Sequence, residues 1–357
     1  MTYSTERPLC VLAATLAGGA LLAAATAGYA AGGHVSADTP RWSAMPERGP
    51  RRSLAACAAI CAASALVAVG PAPFARAFTA ASHGRGPAPV VSAAAGMMVN
   101  ARTGKELWGL EQSVERPIAS LTKVMTALVV IRSGDLGRRI MITWAEVNYV
   151  QTYGASNAGL QAGDFFTARQ LLNAMLLPSG ADAAMALAIS YGPGIPKFIR
   201  KMNALARRLH MTRSHFTNFD GLQSTDVSTP SDLIKLGRAA MRERAFRSEV
   251  RRKRYRLHAW SQHHHRYLWL NTNLLLKRYP GVTGIKTGWT PPAGECLLFE
   301  ATHRKKVMIG VVLDSAPTNE GVTFVDAAKL LNWAFGLNVP IPPPMPPPVR
   351  PTFSLGG

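Results

Sequence analysis

Apolar positions along this chain change their spacing in blocks, and each block predicts an element. "GMMVNARTGKELWG", from Gly96 to Gly109, reads as two short strands joined by a turn at Thr103-Gly104. From Pro117 to about Ser133 the apolar residues fall as on a helix. "TARQLLNAMLLPSGADAAMALAISYG" predicts two helices separated by Pro178-Ser179-Gly180. In "IPKFIRKMNALARRLHM", Phe198, Met202, Leu205 and Leu209 share one stripe with Lys and Arg opposite, an amphipathic surface helix. "STPSDLIKLGRAAM" opens with capping residues and continues as a helix. After about residue 247 the pattern turns to strands, in "GVTGIKTGW", "CLLFEATH" and "KVMIGVVLD". A helix over "GVTFVDAAKLLNWAFG" closes the series. Strands, then helices, then strands and a final helix predict an α+β domain in which helices pack on a sheet.

The ends of the chain have other textures. Residues 8–33 and 53–75 are uncharged apolar runs. The second follows Arg48, Arg51 and Arg52 and ends in Ala75-Arg76-Ala77, the order of a secretory signal peptide, with cleavage expected after Ala77. Two tandem runs leave two readings: a functional start at Met45, or a first run that spans a membrane. Residues 78–93 read as a linker, residues 94–338 as the main folded domain, and residues 339–357 as a Pro-rich tail.

The chain's 357 residues carry 40 Lys+Arg against 20 Asp+Glu, a formal charge of +20. Loss of residues 1–77 removes six Arg and three acids and leaves about +17. Such a surface suits a polyanion, either an anionic envelope polymer or a membrane surface. No zinc finger, RNA-binding signature or basic zipper is present, so nucleic acid is set aside. Three of the four cysteines lie in the leader, which leaves Cys296 alone in the exported chain, without an internal partner.

The candidate chemistry begins at "IASLTKVMTAL", where Ser120 and Lys123 are three residues apart. On a helix these positions share a face. A serine hydroxyl needs a base to become a nucleophile, and a lysine whose pKa is lowered by burial or by a second cation can be that base. Ser-x-x-Lys alone is a common spacing, but here "SGA" follows at Ser179 and "KTG" at Lys286. Three motifs in this order mark the penicillin-recognising serine enzymes.

With "NARTGKELW", "LLPSGADAA", "FTNFDGL", "STPSDL" and "PGVTGIKTGWT", the chain from about Gly96 to Gly336 resembles the D-alanyl-D-alanine carboxypeptidases, low-molecular-mass penicillin-binding proteins. The resemblance implies a three-layer fold, an antiparallel sheet with helices on both faces, as in β-lactamases. It implies that Ser120 forms an acyl-enzyme with D-Ala-D-Ala-ended stem peptides of peptidoglycan, that Lys123 accepts the proton, and that Ser179 relays one to the leaving D-alanine. Lys286 and Thr287 would bind substrate beside Gly288, and the backbone N–H groups of Ser120 and Trp289 would form the oxyanion hole. β-Lactams would acylate the same serine, and no metal or organic cofactor is implied. The family's middle motif usually ends in Asn where this chain has Ala181, so weaker substrate orientation or altered deacylation is expected. Asp182 is expected to point elsewhere. A DD-endopeptidase of the same family and a non-catalytic envelope-binding relative are the alternatives.

Other conspicuous residues have plainer readings. His263, His264 and His265 are consecutive, a poor chelate, and read as a hairpin end. "RSEVRRKRYR" reads as a solvated hairpin. Asn218, Asp220 and Asp232 read as capping or turn residues, and Cys296 as a buried small hydrophobe.

Overall fold

The computed structural model describes residues 86–261 and 264–345. The leader, Met45, the site after Ala77, His263 and the tail beyond Met345 lie outside the described residues. In chain order the elements are β1 (Ala95–Asn100), β2 (Glu106–Leu110), β3 (Arg116–Pro117), a 3-10 turn (Ala119–Leu121), α1 (Thr122–Ser133), β4 (Arg139–Met141), α2 (Trp144–Thr152), β5 (Phe165–Thr167) and α3 (Ala168–Leu176). Next come α4 (Ala181–Tyr191), α5 (Ile195–Arg208), β6 (Val227–Ser228), α6 (Pro230–Arg242), α7 (Arg244–Val250), β7 (Arg254–His258) and β8 (Arg266–Leu270). The last are α8 (Leu275–Arg278), β9 (Val282–Thr290), β10 (Gly294–His303), β11 (Lys306–Leu313) and α9 (Val322–Phe335).

Five strands form one antiparallel sheet in the order β2-β1-β11-β10-β9. The strands β1 and β11 read as near-continuous apolar runs because both faces are covered. Leu297, Phe299, Met308 and Val312 face one way, packing with Phe324, Ala327 and Leu331 of α9. Cys296, Leu298, Ile309 and Val311 face the other way, into the larger core built from α1, α3, α4, α5 and α6. This alternation has the period of two that strand geometry dictates, and it gives the three layers the resemblance implied.

Local sequence accounts for several boundaries. Thr167 and Gln170 form a reciprocal capping box that starts α3. Thr229 caps α6 ahead of Pro230. Phe198, Met202 and Leu205 of the predicted α5 stripe are fully buried. Two expectations need correction. The helix expected from Pro117 begins only at Thr122, because Pro117 pairs with Val227 in a short ladder and Ala119 adopts a positive φ of 46°. The change to strands expected near residue 247 is delayed by α7, whose Phe246 and Val250 are fully buried. Residues 86–93 run without regular structure beside α9, where Asp326 accepts the N–H groups of Ser92 and Ala93.

Candidate active site

Ser120 sits in the 3-10 turn and Lys123 in the first turn of α1. Lys123 Nζ donates to Ser120 Oγ at 3.0 Å and to the Asp220 carbonyl at 2.8 Å. Lys123 is only 2% exposed. Its second acceptor comes from a tight turn. Asn218 Oδ1 accepts the Asp220 N–H at 2.7 Å, and Asp220 Oδ1 accepts the Leu222 N–H at 3.0 Å. A side chain on Gly221, at φ +78°, would collide with the Ala119 carbonyl, so glycine lets this turn close onto the serine turn. Beneath it, Asp226 accepts the N–H groups of Thr217 and Asn218, and burial lifts its carboxyl to about 6. Tyr149 donates to the Asp220 carboxylate at 3.1 Å, and desolvation raises its phenol above the ordinary range. Asn218 and Asp220 are therefore turn formers, as expected. The carbonyl their turn aims at Lys123 has no side-chain signature in the sequence.

Ser179 occupies the break between α3 and α4 at φ +69°. It is 6% exposed, and its Oγ has no hydrogen-bond partner among the described residues. Asp182 points away from the serine, accepting the N–H groups of Ala158 and Leu160 and pinning the loop before β5. Ala181 is fully buried with Val150 and Ala155, and Tyr149 and Leu222 pack against this cluster.

The third motif lies on β9, the edge strand, which packs against the serine turn. A Cβ on Gly288 would stand 3.1 Å from Ser120 N and from the Ile118 carbonyl oxygen, tighter than ordinary packing, so a bare backbone suits this approach. Lys286 is 1% exposed and donates to the Thr287 carbonyl at 2.9 Å. Burial holds its amine well below the usual lysine range, and the neighbouring charge of Lys123 adds to the effect. Thr287 Oγ1 is 2.6 Å from Thr272 Oγ1. Thr272 also donates its N–H to the carbonyl of Leu177, two residues before Ser179. Thr272 thus links the Ser179 turn to the Lys-Thr-Gly strand. The sequence reading missed it because a threonine between Asn271 and Asn273 carries no motif. Trp289 is 40% exposed, and its indole N–H donates to the Pro317 carbonyl.

His264 is exposed in the β7–β8 turn, and His265 pairs with Asp164. No group of three metal-ligating side chains occurs among the described residues. Cys296 is fully buried, which pushes its thiol up to about 12.

A three-layer α+β domain with a Ser-x-x-Lys pair whose lysine is buried, a serine between two helices and Lys-Thr-Gly on the edge strand has the layout of the penicillin-binding and β-lactamase-like serine enzymes. A profile of D-alanyl-D-alanine carboxypeptidases matches residues 82–317. The D-alanyl-D-alanine carboxypeptidase of Streptomyces sp. strain K15 is 38% identical over 263 residues, 70% of this chain and 89% of the relative. A D-alanyl-D-alanine carboxypeptidase of Mycobacterium tuberculosis is 34% identical over 66% of this chain and 80% of its own length. The crystal structure of the Streptomyces K15 DD-transpeptidase superposes with a TM-score of 0.67 at 38% identity, covering 71% of this chain and all of that one. The chain belongs to the D-alanyl-D-alanine carboxypeptidase family of serine peptidases.

Proposed function

We propose that this enzyme, exported from the cytoplasm, removes the terminal D-alanine from peptidoglycan stem pentapeptides through an acyl-enzyme on Ser120. The contact of 3.0 Å between the buried Lys123 amine and Ser120 Oγ carries the reading. With the one proton of the lysine pair held on Lys286, Lys123 takes the hydroxyl proton while Oγ adds to the carbonyl carbon of the penultimate D-alanine. The backbone N–H groups of Ser120 and Trp289 hold the oxyanion. As the intermediate collapses, the C–N bond breaks and the leaving amine takes the proton back from Lys123 through the Ser179 hydroxyl. Water, giving its proton to Lys123, then attacks the ester, releases the shortened peptide and regenerates Ser120. Every step uses side chains, backbone and water.

Lys286 and Thr287 receive the substrate's terminal carboxylate. Two buried amines side by side cannot both stay cationic without large cost. An arriving carboxylate restores a proton to Lys286, which ties productive binding to a free carboxy-terminus. β-Lactams acylate the same serine. Export rests on the leader within residues 1–77, and the +20 charge suits an anionic envelope.

The test is D-alanine release from a diacylated D-Ala-D-Ala peptide by the mature enzyme and by Ser120→Ala. A crosslinked dimer and an amine acceptor are offered in parallel. Release by the first protein and none by the second is expected. No release from a folded parent would refute the reading, preference for the dimer would make the enzyme an endopeptidase, and transfer to the amine would make it a transpeptidase.

A further inference from the structure

The outward face of the β7–β8 hairpin carries a row of basic side chains. Arg254, Arg256 and His258 alternate outward along β7, and Arg266 lies opposite His258 in the antiparallel register. All four are exposed, and none of the three arginines forms an ion pair among the described residues. Alternate residues of one strand are about 7 Å apart, so Arg254, Arg256 and His258 are evenly spaced along β7.

The row runs into an exposed apolar strip. Met141 pairs with Phe165 across β4 and β5, and Phe165 pairs in turn with Trp260. Residues paired across strands present side chains to the same face. Here they are 48%, 40% and 59% exposed respectively. Arg139 lies with its guanidinium 3.8 Å from the centre of the Trp260 ring. Arg139, Phe165, His258, Trp260 and His264 line an open cavity of about 600 Å³. His258 belongs to both the row and the cavity, so the two are one surface.

Three arginines without ion pairs among the described residues, set beside aromatic faces, match a polymer with anionic groups at regular intervals and sugar or polyol units between them. The cations take the charges, and the aromatic rings take the C–H faces of the repeat units. A single row fits a chain better than a plane of lipid head groups. The hairpin's inner face is tied towards the active site. Trp269 donates to the Ala158 carbonyl, and Ala158 is held by Asp182, three residues after Ser179.

We propose that this surface docks a linear anionic glycopolymer of the envelope, so that stem peptides are presented at raised local concentration to the nearby active site. This rests on the proposed function only for its cellular setting, because binding requires no catalysis.

The probe is poly(glycerol phosphate), titrated into the full mature chain and into its Ser120→Ala form. Comparison titrations use a neutral chito-oligosaccharide and phosphatidylglycerol vesicles. Equal binding by the two proteins is expected, weakening as salt rises. Arg254→Gln, Arg256→Gln and Arg266→Gln combined should weaken binding about tenfold or more and flatten the salt dependence. Trp260→Ala should weaken binding while keeping the salt slope. The surface variants at Arg254, Arg256, Arg266 and Trp260 should keep the parent's melting temperature and its turnover of a small soluble peptide. Unchanged polymer affinity in the triple variant would overturn the proposal. So would equal binding of the neutral oligosaccharide, or preference for vesicles over polymer. Absence of peptidase activity in the parent would refute the catalytic reading and leave the docking result standing.

Discussion

Replacing Ser179 by alanine should make the free enzyme more stable and much less active. The Ser179 hydroxyl is inaccessible and has no hydrogen-bond partner among the described residues. A buried polar group left unpaired costs about 1–3 kcal/mol. Alanine removes that group, and the strain at φ +69° is shared by both residues and cancels. A net gain of about 1 kcal/mol should raise the melting temperature of a domain this size by about 2–4 °C. Turnover should move the other way. If the hydroxyl carries the proton to the leaving D-alanine, losing it removes an acid–base contribution of about 10²- to 10⁴-fold. The assay pairs thermal unfolding of parent and variant with D-alanine release from the same preparations. A lower melting temperature would mean that the hydroxyl has a structural partner. A higher one with unchanged turnover would mean that the proton takes another route.

Other outcomes follow from neighbouring residues. Thr272→Val should lower kcat/KM for a free-carboxylate peptide by about 3- to 10-fold, the worth of one hydrogen bond; the C-terminal amide should be unaffected and Thr272→Ser should restore the rate, and an equal loss on both substrates would refute the link to Thr287. Asp226 is held at about 6 against an ordinary 3.8, so the folded state binds the extra proton between these values. Stability should therefore fall by up to about 3 kcal/mol as pH rises from about 4 to 6 and level off above; Asp226→Asn should remove that slope in melts taken against pH. Because burial depresses the Lys286 amine in the free enzyme, carboxylate binding favours its protonated form and should weaken as pH rises, which titration of Ser120→Ala with a free-carboxylate peptide across pH would detect; a pH-independent affinity would refute it. Ala181→Asn should speed turnover per folded molecule yet lower stability by about 1–3 kcal/mol, since the amide enters the apolar cluster of Val150 and Ala155; an unchanged rate would count against a role for the missing asparagine.

The sequence by itself determined the elements and the order of the motifs. Periods of 3.6 and 2 marked α1, α3 to α6, α9 and the five strands of the main sheet, because burial on one stripe or on alternate faces leaves that imprint; α2 and the two- and three-residue strands β3 to β6 were not marked. Ser120, Lys123, Ser179 and Lys286 were legible because each sits in a short motif. The exact backbone at Ser120 was not legible. Apolar spacing cannot tell a helix from a 3-10 turn entered through a positive φ at Ala119. Tertiary structure alone decided what surrounds the amines. The Asp220 carbonyl reaches Lys123 from 97 residues away, and a backbone atom leaves no compositional trace. The Thr272–Thr287 hydroxyl pair likewise depends on the chain returning beside β9. Burial of both Lys123 and Lys286 arises where the serine turn, the Asp220 turn and the edge strand close on one another, an arrangement that exists only once the sheet and helical layers have packed.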